Sequence, residues 1–82
     1  MSMDLKTAQA TISAAITANP EAIIAKAILW NPATAQIVEA VRAVPGPLAG
    51  VAANALKEAL RGKDHAETTA NIIRFAEQVQ AE

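Results

Sequence analysis

Proline divides this 82-residue chain into short segments. Two of its four prolines follow an asparagine, at Asn19-Pro20 and Asn31-Pro32, and the other two flank a glycine in Pro45-Gly46-Pro47. Asparagine is a favoured N-cap and proline a favoured first residue of a helix, whereas proline inside a helix removes a backbone hydrogen bond. The chain must therefore be interrupted at these three places, and a new helix is expected after each of them.

Capping residues supply the remaining helix boundaries. Asp4 precedes an apolar periodic segment, and Asp64 with Glu67 three residues later matches a capping box. Gly62 is expected to close the helix before it as a C-terminal cap. We predict helices from the Asp4 cap to about Ala18, from Pro20 to about Trp30, from Pro32 to Val44, from Pro47 to Arg61, and from the Asp64 cap to about Gln80.

Most of the predicted helices are amphipathic, with alanine-rich core faces. The predicted core face of the third helix comprises Ala33, Ile37, Ala40, Val41 and Val44, and that of the fourth comprises Leu48, Ala52, Ala55, Leu56 and Ala59. The first helix presents Leu5, Ala8, Ile12, Ala15 and Ile16. Hydrophobic residues make up 52% of the sequence and charged residues 18%. Alanine alone supplies roughly a quarter of the positions, a bias that favours helices.

The second helix is apolar on every side, with Lys26 as its only charge after the first turn. Such a helix must be buried all round, and four short helices can enclose it only partly in so small a chain. It is either the centre of the bundle or covered on one face by a second chain, and we favour the second chain. The expected fold is all-α: a compact single domain over 1–82 of about five short helices, sharing part of its core with a second copy.

The same helix provides the predicted protein-binding face. Its residues are Ile23, Ile24, Ala27, Ile28 and Trp30. Trp30, the one tryptophan, lies at the helix end immediately before the Asn31-Pro32 break. Tryptophan is enriched among residues that dominate binding energy, but it also fills cores. The sequence leaves both roles open for Trp30.

No catalytic, cofactor or metal site is predicted. The chain has no cysteine and one histidine, and its carboxylates are scattered singly, so no nucleophile and base share a helical spacing. Asp64, His65 and Glu67 stand at a helix start, where adjacent residues do not converge on one ion. Gly46, Gly50 and Gly62 do not have the spacing of a phosphate-binding loop. We expect a protein that is not an enzyme.

Charge favours a protein partner over nucleic acid or a membrane. The formal net charge is -1, with seven basic and eight acidic residues spread along the chain, so no overall field attracts phosphate. The alternative is a small helix-turn-helix-like DNA-binding regulator using residues 56–75, with Arg61, Lys63, His65 and Arg74 as its basic edge. Glu58, Asp64, Glu67 and Glu77 lie near that edge and would repel DNA.

The start of the chain lacks the basic and apolar stretches of a secretory signal, and no apolar run approaches the roughly 20 residues that span a bilayer. The expected protein is therefore cytoplasmic. We predict a non-enzymatic interaction module, such as an adaptor, assembly factor or small inhibitor, that self-associates and binds another protein through an apolar helical face.

Overall fold

Five α-helices make up the regular secondary structure of residues 3–82, the part of the chain that the computed structural model describes. They are α1 (Leu5–Ala18), α2 (Pro20–Trp30), α3 (Thr34–Arg42), α4 (Leu48–Ala59) and α5 (His65–Gln80). The predicted all-α class with five short helices is confirmed. Of the predicted domain over 1–82, Met1 and Ser2 lie outside the described residues.

Three helices begin at the predicted N-caps. The side chain of Asp4 accepts a hydrogen bond from the backbone N–H of Thr7 at 2.7 Å, and that of Asn19 accepts one from Ala22 at 3.3 Å. Asp64 accepts from the N–H of Glu67 at 2.8 Å. The Glu67 carboxylate in turn accepts from the backbone N–H of Lys63 at 3.2 Å, one residue earlier than in a standard capping box.

α3 begins two residues later than predicted. The side chain of Asn31 accepts from the N–H of Ala33 at 3.1 Å, and the carbonyl of Asn31 accepts from the N–H of Thr34 at 2.9 Å. These bonds form a turn over Pro32 and Ala33, and Ala33 becomes the N-cap of α3 without a side-chain bond. Asparagine side chains favour such turns as readily as helix caps.

Gly62 differs from its predicted role. α4 ends at Ala59 with Leu60 as its C-cap, and none of the described glycines has a positive φ. A left-handed C-cap is therefore absent at Gly62. The position instead approaches α5 closely: a Cβ placed on Gly62 would lie 2.6 Å from the Cβ of Glu67.

The helices pack as two groups joined by a shared core. α2 and α3 both pack against α4, whereas α1 pairs chiefly with α5. The α1–α5 pair is antiparallel, because the backbone N–H of Met3 reaches the carboxylate of Glu77 at 3.3 Å. The largest core side chains come from α2, from α4 with its C-cap, and from α5: Ile23, Ile24, Leu56, Leu60 and Phe75. The molecule measures 39 × 28 × 18 Å.

Within the described chain, none of the helices combines the length and the apolar character required to cross a membrane.

Candidate functional site

The predicted binding face on α2 lies mostly inside the single chain. Ile23, Ile24 and Ala27 are 2%, 3% and 0% exposed, and Ile28 and Trp30 are partly buried against the same core. α2 contacts α1, α3 and α4, so most of its apolar surface is covered within the chain. The sharing of this core with a second chain stays a prediction. Of the five predicted residues, only Ile28 and Trp30 keep part of their side chains exposed for a partner to contact.

α2 nevertheless keeps one exposed side. Leu29 is 83% exposed and Ala25, one turn earlier, is also exposed. A shallow depression of about 510 Å³ adjoins Leu29 where the C-terminal ends of α2 and α5 meet, and Trp30, Phe75 and Val79 contribute to its wall. The ammonium of Lys26 and the carboxylate of Glu82 form an ion pair at its edge.

A larger apolar groove runs between α1, α4 and α5. We call it the α1–α4–α5 groove, and it has a volume of about 640 Å³. Its aliphatic lining consists of Ile12, Ile16, Ala49, Ala53, Leu56, Leu60 and Ile72. Polar side chains stand at its rim: Gln9, Ser13, Thr17, Lys57 and Thr68.

The groove exists because α4 and α5 do not pack directly against each other. Over the described residues, no Cα atom of α4 comes within 8 Å of one in α5. The two helices are joined at one end, where the side-chain amide of Asn71 donates to the carbonyl of Leu60 at 3.0 Å. Near that junction the N–H of Gly62 donates to the hydroxyl of Thr68 at 2.8 Å. α1 covers the gap only partly, which leaves apolar side chains of all three helices open.

The charged side chains on the α1 and α4 walls of the groove are positive. α1 contains a single charged residue, Lys6, and the groove-lining part of α4 presents Lys57. No described carboxylate lies within 4.0 Å of the Lys57 ammonium, whereas Glu58 next to it pairs with Arg61 at 2.8 Å. The groove therefore combines an apolar floor with an unpaired cation at its rim.

A second apolar stripe on α4 was the sequence signal for this groove. The sequence predicts one core face of α4, beginning at Leu48, and most of that face is buried. The residues that line the groove repeat with spacings of four, three and four: Ala49, Ala53, Leu56 and Leu60. A helix with two adjacent apolar stripes packs on two sides. The second side faces the gap between α1 and α5, which the sequence does not reveal.

The carboxylates at the start of α5 cap the backbone, and the neighbouring imidazole does not join them. Asp64 and Glu67 accept backbone N–H groups, and His65 is exposed. No group of three His, Asp or Glu side chains in residues 3–82 is arranged to share a metal ion.

The region proposed for DNA binding consists of the end of α4, the connection and most of α5. Arg61, Lys63, His65 and Arg74 are exposed, and Arg61 is engaged by Glu58. The two helices of a helix-turn-helix pack against each other, whereas the backbones of α4 and α5 stay apart. The arrangement adds no support to the DNA-binding alternative, which stays a prediction.

No protein-family model matches the chain, and neither the curated proteins nor the solved structures yield a significant match.

Proposed function

We propose that this chain is a non-enzymatic, cytoplasmic protein-interaction module that self-associates and binds a helix of another protein. The observation that carries the proposal is the α1–α4–α5 groove, with its aliphatic floor and open side. It replaces most of the α2 face as the binding surface, because Ile23, Ile24 and Ala27 are already covered by their own chain. An apolar groove with an open side is the kind of site into which an amphipathic helix lays its apolar face.

A helix is the partner element that suits this groove. Its α1 wall runs from Gln9 to Thr17, about 12 Å at the rise of an α-helix. A partner helix of two to three turns would span that length, placing side chains at i, i+3, i+4 and i+7 onto Ile12, Ile16 and Ile72. The partner helix would then fill the gap between α4 and α5, which do not pack against each other.

Charge selects among such helices. Lys57 stands at the rim without a carboxylate partner, and α1 contributes no acidic residue between Leu5 and Ala18. A partner helix with glutamate or aspartate beside its apolar stripe would meet a cation, whereas a lysine-flanked helix would meet like charge. We therefore assign the partner as an acidic amphipathic helix.

Fluorescence anisotropy with two labelled peptides tests this assignment. Both peptides have leucines at helical spacing over about 18 residues, roughly five turns; one carries flanking glutamates and the other flanking lysines. We expect the glutamate peptide to bind at least about tenfold more tightly, and Lys57→Glu to reverse the order. If neither peptide binds at about 100 µM, a concentration that detects weak complexes, the groove is not a helix-binding site.

A groove-filling variant and a matched control locate the binding. Ala53 is exposed within the groove, and Ala40 is exposed on α3 away from it. Ala53→Phe should abolish peptide binding with the helical signal retained, and Ala40→Phe should leave binding unchanged. Salt-sensitive binding of a DNA duplex that is lost when Arg61, Lys63 and His65 are neutralised would instead support the DNA-binding alternative.

A further inference from the structure

The exposed side of α2 and the adjoining end of α5 form a second apolar surface, separate from the groove. We call it the α2 outer surface and define it by Ala25, Lys26, Leu29, Trp30, Val79 and Glu82. Leu29 and Val44 are the most exposed large hydrophobic side chains of the described residues, at 83% and 66%. Leu29 differs from Val44 because it borders a depression with aromatic and aliphatic walls.

This surface places a protruding side chain beside a depression. It presents one protruding side chain, Leu29, beside one depression, whose wall includes Trp30 and Val79. In an interface with two-fold symmetry the same patch occurs on both copies, so a contact from protrusion to depression is made twice. Leu29 of each copy can then enter the depression of the other.

The surface also carries two adjacent charges of opposite sign. Lys26 and Glu82 stand side by side at the edge of the depression, and both remain partly exposed while paired, at 30% and 55%. When the two-fold axis passes between Lys26 and Glu82, at right angles to the line that joins them, the cation of one copy faces the anion of the other. The ion pair within one chain can thus become two reciprocal pairs between chains.

We propose that two copies of this chain associate about a two-fold axis through the α2 outer surface. The inference rests on the self-association included in the proposed function and assigns it a place, leaving the α1–α4–α5 groove free for a different partner. Only about six side chains per copy take part, so the interface is small and its dissociation constant is expected in the micromolar range.

Sedimentation equilibrium of the full chain between about 5 and 200 µM, a range around that dissociation constant, tests the association. We expect a monomer–dimer equilibrium whose dissociation constant rises at least tenfold, by about 1.4 kcal/mol or more, in Leu29→Glu. Val44→Glu is the matched control, since it places the same charge on the other exposed aliphatic, and should dimerise like the unmodified chain. A monomer at the highest concentration, or a Leu29→Glu variant that dimerises normally, overturns the proposal.

A mixing experiment tests the symmetry of the contact. Lys26→Glu gives a patch with two anions and Glu82→Lys a patch with two cations, so neither variant can form the ion pair within its own chain. Each alone should be more monomeric than the unmodified chain, whereas an equimolar mixture should form heterodimers with two pairs across the interface. A mixture that stays as monomeric as its components overturns the two-fold arrangement.

Failure of this inference can be told apart from failure of the proposed helix binding. Leu29→Glu leaves the groove untouched, so it should bind the glutamate-flanked peptide with unchanged affinity. Ala53→Phe should lose the peptide and still dimerise. Dimerisation through a different surface would appear as normal self-association in Leu29→Glu, with peptide binding unaffected.

Discussion

The rings of Trp30 and Phe75 meet edge to face, with centroids 5.8 Å apart and ring planes inclined at 66°. This contact joins the end of α2 to α5, two helices whose Cα atoms nowhere come within 8 Å of each other in the described chain. Phe75 is 1% exposed, whereas Trp30 is only partly buried. Phe75 is therefore a core side chain, and the partly exposed Trp30 covers it at the surface.

Truncating the two rings should have unequal effects. Phe75→Ala is expected to lower the free energy of unfolding by about 3–5 kcal/mol, since it leaves a cavity in the core. Trp30→Ala should lower it by less, because part of its surface stays in water and the truncated site can be filled by solvent. Urea unfolding followed by circular dichroism measures both, with Leu29→Ala as a neighbouring exposed control. Equal losses from Trp30→Ala and Phe75→Ala would contradict this division of roles.

Thr34 is the buried polar side chain of the described core, at 1% exposure, and its hydroxyl oxygen has no hydrogen-bond partner. Burying an unpaired hydroxyl costs about 1–3 kcal/mol. Valine has nearly the same shape without the hydroxyl, so Thr34→Val should raise the stability by about 1 kcal/mol. Thr34→Ser, which keeps the hydroxyl and loses the methyl group, should lower it. A destabilised Thr34→Val would reveal a bond to this hydroxyl, for example from a buried water.

The close approach of α5 leaves no room for a side chain at Gly62. A Cβ at this position would lie 2.6 Å from the Cβ and Cγ of Glu67 and 2.9 Å from the backbone nitrogen of Thr68. Gly62→Ala must therefore displace the start of α5 and is expected to cost about 1–3 kcal/mol, as other overpacking substitutions do. Gly46→Ala is the control, because nothing lies within 4 Å of its added Cβ. If thermal melting shows the two variants to be equally stable, the close approach of Gly62 to α5 is relaxed in solution.

Acid should weaken the start of α1. The pKa of Asp4 lies below its ordinary value because the backbone N–H of Thr7, and then its hydroxyl, donate to the carboxylate. A carboxyl with a lowered folded pKa stabilises the fold above its unfolded pKa of about 3.9 and loses that contribution as the pH falls through the folded pKa.

The expected result is a melting-temperature difference between the unmodified chain and Asp4→Ala that is full near pH 7 and shrinks on acidification below about pH 4. Asp4→Asn keeps a neutral capping group, so its difference from Asp4→Ala should not change over the same range. A constant difference between the unmodified chain and Asp4→Ala would show that the charge of Asp4 plays no part in capping.

Local chemistry explains which boundaries the sequence predicts well. The caps at Asp4, Asn19 and Asp64 involve bonds over three residues, so the identity of the capping side chain is sufficient to place them. Asn31 has the same side chain, but it bonds to Ala33 and forms a turn. A turn and a helix cap both satisfy the backbone N–H groups near Asn31. The choice between them therefore depends on where α3 must pack against α4.

The face of α3 illustrates that dependence. The helical periodicity predicts Ala33, Ala40 and Val44 on its core side, but these three are exposed. The buried residues are Thr34 and Val38. Several neighbouring stripes of a nine-residue helix contain apolar residues, and its rotation is decided by the surface of α4 onto which it docks.

The sequence by itself determined the number of helices, most of their starts and the apolar character of α2, because capping, proline geometry and helical periodicity operate within a few residues. Tertiary structure decided which apolar side chains remain open. The α1–α4–α5 groove joins residues as distant as Gln9 and Ile72, and the depression beside Leu29 joins α2 to the end of α5. Such surfaces arise from the distances between packed helices, which no single helix specifies through its own periodicity.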